Sequence, residues 1–379
     1  MKTKRIIAAV TFETDWERQI LAGLTAYAHE QDLHWEIRAV SRSTDLSHLI
    51  KNFNPDGILC HPNMPLPDKL PSVIRQVWFD WGDLRKLPRA GVNDRAIGRM
   101  AAEYFLSRNF SRFCYVGNLD RPYGKLRRDG FHQRLKTAGF SCTAFNTKGY
   151  FIGLLNSRES PELQNEFIRC LESQDKPLAL FSSDDFTAYT VLELCRKTGL
   201  DVPNEVSLLS SNNDELVCHA CDPRLSSIRV PYRQVGRQAA EWLHQLLEKK
   251  GITKKTASFD PLEVVERGST AVWRIDDPLV AESLKYIEES FRKRIGIPEL
   301  LQLTGLSRSM LERRFKQAIN RTPGFEIQHR RIEYAKQLLR DTDQPVHKIA
   351  ATCGYSSSNR FCQAFRDKVS LSPNQYRSA

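Results

Sequence analysis

The chain runs to 379 residues, of which 41% are hydrophobic and 27% charged, with a formal net charge of +11. A length of this order suggests two or three domains with packed cores. No apolar run approaches the ~20 residues of a membrane span, which excludes an integral helical membrane protein.

The first 270 residues alternate short apolar runs with amphipathic stretches, the pattern of βαβ units. Ile6 to Val10 predicts a buried strand, and Trp16 to Glu30 a helix. The apolar run Ile6–Val10 is too short for a signal peptide and no cleavage site follows, so a cytoplasmic location is expected. Trp35 to Val40 reads as strand, Leu46 to Phe53 as helix and Gly57 to Cys60 as strand, with a further strand inside Ser72 to Phe79. Asn93-Asp94 then caps a long helix reaching Ser107. A second series opens with the strand Phe113 to Gly117, the helix Tyr123 to Ala138 and a strand near Ser141 to Phe145. The helix Pro161 to Leu171, the strand Leu178 to Ser182, the helix Asp185 to Thr198 and the strand Val206 to Ser210 follow. Leu225 to Val230 is a strand, Pro231 opens a helix to Glu248, and Leu262 to Arg267 is a last strand.

Two successive α/β series imply two lobes. Such folds hold a ligand at the carboxyl ends of the strands, in the cleft between the lobes. No GxGxxG, P-loop, HExxH or GxSxG motif occurs, so neither a catalytic constellation nor a cofactor is expected. Asp184-Asp185 at a strand end offers a carboxylate pair for acid–base work. It reads equally as a ligand clamp beside a helix N-cap. The nine cysteines are odd in number and scattered, which fits a reducing compartment. Cys218-His-Ala-Cys221 is a lone CxxC without a second pair at zinc spacing, so these thiols read as buried or incidental.

Several stretches of this region resemble the periplasmic-binding-protein-like sensor domain of LacI/GalR regulators. They are Asn93 to Leu106, Ala179 to Ala188, Asp201 to Ser207, Asn212 to Glu215, Leu225 to Pro231, Val235-Gly236 and Val265 to Ser269. The usual LacI N-terminal helix-turn-helix is not expected, because the first strand starts at Ile6. By position, the resemblance implies a small-carbohydrate effector held by Trp16, Asp94, Arg127, Asp184 and Asn212. An indole face suits the apolar side of a sugar ring, carboxylates accept from hydroxyls, and a guanidinium donates in a fork. Plainer readings exist: a core Trp16, an Asp94 that caps its helix, and an Arg127 in a solvated basic run with Lys125 and Arg128. Trp78 and Trp81 are weaker candidates. Asn212 stands where that family commonly has an aspartate, and an amide both donates and accepts, so the ligand need not be xylose.

The last hundred residues follow another logic. Ile297 to Leu301 is a short helix, Gly305 supplies a turn, and Ser307 caps a helix to Ile319 whose Leu311 and Phe315 form a buried i, i+4 pair. Phe325 to Arg340 reads as a connecting amphipathic helix. Ile349-Ala350, Gly354-Tyr355 and a serine cap among Ser356, Ser357 and Ser358 then repeat the layout, with Phe361 and Phe365 buried. Taking Ser358 as the cap spaces the two copies by 51 residues. Helix, glycine turn, helix is the helix-turn-helix unit. From Pro278 onward stand 18 basic and 10 acidic residues, so +8 of the net charge of +11 sits here. That surplus attracts a phosphate backbone.

This stretch resembles the AraC/XylS family of transcription regulators. The residues that carry it are Leu306-Ser307, Leu311, Phe315-Lys316, Ile349-Ala350, Gly354-Tyr355, Ser358, Phe361, Phe365, Ser372-Pro373 and Tyr376-Arg377. The likeness implies double-stranded DNA as partner, read by Ser309, Glu312 and Arg313 from one helix and by Ser358, Asn359 and Gln363 from the other. A LacI-type sensor followed by an AraC-type reader is the arrangement of the XylR-like group. The expected architecture is an α/β two-lobed periplasmic-binding-protein-like domain (1–270), a linker (271–277) and an all-α tandem helix-turn-helix domain (278–379). The expected function is sugar-controlled transcription by a homodimer without membrane attachment. The rival readings are an enzyme carrying a DNA-binding module and a plain sugar-binding protein.

Overall fold

A computed structural model describes residues 3–41, 43–61, 64, 67, 70–79, 87–148, 161–272, 275 and 277–378. Trp81 and Asp276 lie outside the described residues. The chain forms two compact units, residues 1–104 with 111–270, and residues 105–110 with 271–379.

The first unit holds two six-stranded sheets of matching topology, one per lobe. The first lobe contains β1 (Lys4–Ala9), α1 (Asp15–Glu30), β2 (Trp35–Ala39), α2 (Leu46–Phe53), β3 (Gly57–Cys60), β4 (Arg75–Phe79) and β5 (Arg89–Val92). Helix α3 (Asp94–Leu106) leads to the second lobe, with β6 (Phe113–Gly117), α4 (Pro122–Thr137), β7 (Thr143–Asn146), α5 (Pro161–Glu172), β8 (Leu178–Ser182), α6 (Asp185–Thr198), β9 (Val206–Asn212), α7 (Glu215–Ala220) and β10 (Ser226–Arg229). Helix α8 (Tyr232–Leu247) returns the chain to the first lobe, where β11 (Thr256–Phe259) pairs with β5. Strand β12 (Glu263–Val265) crosses again to pair antiparallel with β10, and a 3₁₀ turn, Gly268–Thr270, closes the unit. All other pairings among the described strands are parallel, and three crossovers join the lobes.

Parallel strands covered on both faces must be apolar throughout. Ile6 to Ala9, Ile58 to Cys60 and Leu178 to Phe181 are accordingly solvent-free. Cys218 and Cys221 belong to the core of the second lobe, where Cys221 Sγ donates to Val217 O, so the CxxC residues pack as hydrophobes. Two glycine pairs let helices touch backbone to backbone. A Cβ at Gly23 or Gly236 would lie 2.0 Å from a carbonyl oxygen of α8 or α1 respectively. Gly98 on α3 and Gly130 on α4 make the same close approach, which carries Arg127 to the foot of α3. Strands β5 and β11 and helix α7 had no sequence expectation. Arg-Ala-Gly-Val and Thr-Ala-Ser-Phe carry too little apolar patterning to announce a strand, and pairing with each other supplies what propensity lacks.

The second unit contains α9 (Pro278–Ser290), α10 (Ile297–Thr304), α11 (Arg308–Ile319), α12 (Pro323–Asp341), α13 (Val346–Thr352), α14 (Ser358–Val369) and α15 (Pro373–Ser378). Helix α9, unforeseen from sequence, is capped by the Asp277 carboxylate and packs Val280, Leu284 and Ile287 against Leu311 and Phe315. A second core gathers Ile332, Ala335 and Leu339 of α12 with Ile349, Phe361 and Phe365. Arg331 on α12 ties the halves together by donating to the carbonyls of Phe291, Lys293 and Ile295 at 2.8–2.9 Å. Among the described residues no helix is long and apolar enough to cross a membrane.

Candidate functional site

The strand carboxyl ends of both lobes converge on one buried group, the guanidinium of Arg127. It reaches from α4 of the second lobe to the first residue of α3, where Nε donates to Asp94 Oδ1 at 2.7 Å. Both side chains are at most 1% exposed. Nη1 reaches Ser183 O just past β8, and Ser211 Oγ at 2.9 Å and Asn212 Oδ1 at 3.1 Å at the end of β9. Nη2 donates to Tyr232 Oη at 3.2 Å, at the start of α8. The Tyr232 hydroxyl donates onward to Asn212 Oδ1 at 2.9 Å. One cation thus joins both lobes at the cleft floor.

The helix cap at this point is Asn93, whose Oδ1 accepts from the Ala96 amide at 3.1 Å. Asp94 is therefore free of capping duty and faces Arg127. Burial pushes the Asp94 carboxyl up to about 6, and Arg127 pulls it back toward the charged form. Its Oδ2 is buried and accepts no hydrogen bond among the described residues. For Arg127, burial works against the charge, and Tyr232 and Asp94 more than offset it, so the guanidinium stays protonated.

Trp16 lies in the first turn of α1 and is half-buried, with its ring 5.8 Å from that of Tyr232 and 5.1 Å from that of His61. Aromatic faces therefore stand on the first-lobe side of the cleft. Burial, with the Arg121 charge adding, lowers His61 to about 4, so the imidazole is neutral at pH 7. The Asp15 amide donates to Asp214 Oδ2 of the second lobe at 3.4 Å, where the lobes meet again.

Asp184 takes a different place from its neighbours. It is the N-cap of α6, and its carboxylate accepts from the Thr187 amide at 2.9 Å, Thr187 Oγ1 at 3.0 Å and Ser183 Oγ at 2.7 Å. Asp185 is turned inward instead, holding Ser227 Oγ at 2.6 Å and the Asp214 amide at 2.7 Å, and burial raises its carboxyl to about 7. The two aspartates thus serve as a helix cap and as an internal strut. Trp78 packs on the core of the first lobe. His61 and Tyr232 escaped the sequence reading. His61 directly follows β3, so strand-end position alone could have flagged it, whereas nothing local marks Tyr232.

In the second unit both glycine turns adopt the left-handed backbone, Gly305 at φ +67° and Gly354 at φ +76°. Ser307 Oγ caps α11 by accepting from the Met310 amide. In the second copy the cap is Ser357, whose Oγ accepts from the Arg360 amide, and Ser358 is the first helical residue. This corrects the assignment of Ser358 as cap and sets the repeat at 50 residues. Three consecutive serines offer the same chemistry, and only the extended backbone of Ser357 (φ −152°) decides among them. Ser309 and Arg313 are exposed and Glu312 half-exposed on one face of α11; Asn359 and Gln363 are exposed and Ser358 half-exposed on α14. Local contacts engage some of them: Arg308 with Glu312 at 2.9 Å, Arg313 Nη2 with Met310 Sδ, and Gln363 Nε2 with Asp367 Oδ1 at 2.7 Å.

A two-lobed cleft fold followed by a double helix-turn-helix defines a transcription regulator of the sensor-plus-reader class. Comparison with known proteins agrees. Residues 102–270 match the periplasmic binding protein-like domain and residues 300–379 a helix-turn-helix domain. The chain is 26% identical to the xylose operon regulatory protein of Haemophilus influenzae, covering 96% of this chain and 95% of that one. It is also 26% identical to the protein of that name in Escherichia coli K12, covering 100% and 98%. The solved structure of the xylose-binding transcription activator xylR shares the fold over 100% of this chain and 98% of that one, with TM-score 0.62 and 23% identity. Over its whole length the chain is thus similar to XylR-like regulators.

Proposed function

We propose that this protein is a one-component, cytoplasmic transcription regulator whose DNA binding is set by a small carbohydrate held between the lobes of residues 1–270. The observation that carries the reading is Arg127, buried and bonded to both lobes at the strand ends, beside an aromatic wall of Trp16, Tyr232 and His61. Asp94, Arg127 and Asn212 contact the ligand from the floor, Trp16 stacks on it, and Asp184 borders the site through Ser183. Xylose or a related sugar fits the relatives' names. Ligand binding that favours one lobe arrangement shifts the population of a homodimer between two DNA-binding states. Residues 278–379 form the reader, 271–277 the linker. Ser309, Glu312 and Arg313, with Ser358, Asn359 and Gln363, supply base contacts in adjacent major-groove segments.

A thermal-shift screen of the full chain against pentoses, hexoses and their acids tests the sensor. A ligand bound only by the folded state raises the melting temperature with concentration. Footprinting with and without the hit tests the coupling. A hit that leaves the footprint and its affinity unchanged refutes sugar control.

A further inference from the structure

Asn212 ends β9 with a left-handed backbone, φ +105°. Its Oδ1 takes two hydrogen bonds, from Arg127 Nη1 and from Tyr232 Oη. A guanidinium only donates. The tyrosine hydroxyl accepts from Arg127 Nη2 and donates to Asn212 Oδ1. Turning the amide over would set its NH₂ against the guanidinium N–H, so Arg127 fixes its orientation. Nδ2 makes no hydrogen bond among the described residues, and the residue is only half-buried. A carboxylate at this position would put an acceptor where the amide puts a donor. Close by, Asp94 Oδ2 is a buried acceptor that receives nothing.

We propose that the cleft accepts at Asn212 Nδ2 a carbohydrate oxygen that carries no proton, glycosidic or carbonyl, as readily as a hydroxyl, and takes a hydroxyl at Asp94 Oδ2. Asn212 is thereby the specificity-determining residue, and Tyr232 positions it. The inference rests on the cleft being the carbohydrate site. A site that binds through a fixed donor accepts a ligand lacking the hydroxyl proton, whereas a fixed carboxylate rejects it.

Calorimetric titration of the full chain with D-xylose, methyl D-xyloside and the 2-, 3- and 4-deoxyfluoro-D-xyloses tests this. Fluorine and the O-methyl group cannot donate. In the wild type at least one substituted sugar binds within roughly threefold of D-xylose. In Asn212→Asp the same sugar falls behind D-xylose by roughly tenfold or more. Asn212→Ala, which only removes the donor, weakens all sugars that use this oxygen and keeps their ratio near the wild-type value. Relative affinities in Asn212→Asp equal to those of the wild type, with its melting temperature intact, overturn the proposal. So does an Asn212→Ala variant with unchanged affinities. Failure of the wild type to bind any member of the panel overturns instead the carbohydrate reading of the cleft on which the inference rests.

Discussion

Replacing Arg127 with methionine tests the central feature of the first unit. Its neighbours are unequally dependent on it. Ser183 O keeps a hydrogen bond from Ser211 Oγ at 2.8 Å, and Asn212 Oδ1 keeps that from Tyr232. Asp94 has no such reserve, because among the described residues Nε of Arg127 is the one donor its carboxylate receives from another residue. The substitution therefore leaves an uncompensated carboxylate in a site that is 2% exposed. Removing one partner of a buried ion pair costs ~3–5 kcal/mol. That cost has a pH signature. Burial already raises the folded-state pKa of Asp94 to about 6, and loss of the cation raises it further. A raised pKa means that the folded state holds the proton more tightly than the unfolded chain. The stability it confers is present in acid and is lost as pH rises through the folded value. From pH 8 downward the variant should regain about 1.4 kcal/mol per pH unit below its new pKa. Adding Asp94→Asn should restore at least half of the loss at pH 8. Scanning calorimetry of the full chain at pH 8 and pH 5 reads this, with the transition of the helix-turn-helix unit as internal control. A loss under ~1 kcal/mol at pH 8, or the same loss at both pH values, refutes the assignment of Asp94 as a buried charge dependent on Arg127.

Other tests are local. Ser357→Ala should destabilise the helix-turn-helix unit by ~1 kcal/mol in urea unfolding, and Ser358→Ala by much less; the reverse order would restore Ser358 as the cap. Gly354→Ala should prevent stable folding of that unit, since its Cβ would meet Lys293 O at 2.5 Å, while Gly305→Ala, with open space around it, should cost only ~1 kcal/mol of backbone strain. Circular dichroism melts of both variants decide the point. Arg313→Ala and Gln363→Ala should each weaken specific DNA binding by ~1–3 kcal/mol in a gel-shift titration, and unchanged affinity in both would remove the two helices as readers. His61 has a depressed pKa, so the stability its neutral form allows is present above pH ~6.5 and lost as pH falls toward about 4. His61→Gln should flatten that acid limb in pH-dependent melts, and an unaltered limb would place its origin elsewhere.

The sequence by itself determined the elements that local chemistry specifies. Apolar runs such as Gly57–Cys60 and Leu178–Ser182 bury every residue, so their composition alone makes them strands. Gly305 and Gly354 occupy the two turn positions where a left-handed backbone is needed, and i, i+4 pairs such as Phe361 and Phe365 mark the buried helix faces. Residue type and spacing therefore carried the two-lobed α/β unit and the tandem helix-turn-helix. Tertiary structure decided the rest. Strands β5 and β11 pair with each other between residues 167 positions apart, Gly91 with Ser258 for example, and neither is marked by its own residues. The choice of Ser357 over Ser358 as cap depends on a backbone angle that three identical side chains cannot encode. The cleft shows the division most clearly. Asp94, Arg127 and Asn212 could be nominated from sequence, yet what each does depends on Asn93 having taken the cap, on Gly98 and Gly130 letting α3 and α4 touch, and on Tyr232 arriving from α8 to hold the Asn212 amide. Those are contacts between residues distant along the chain, and only the folded geometry sets the direction of each hydrogen bond.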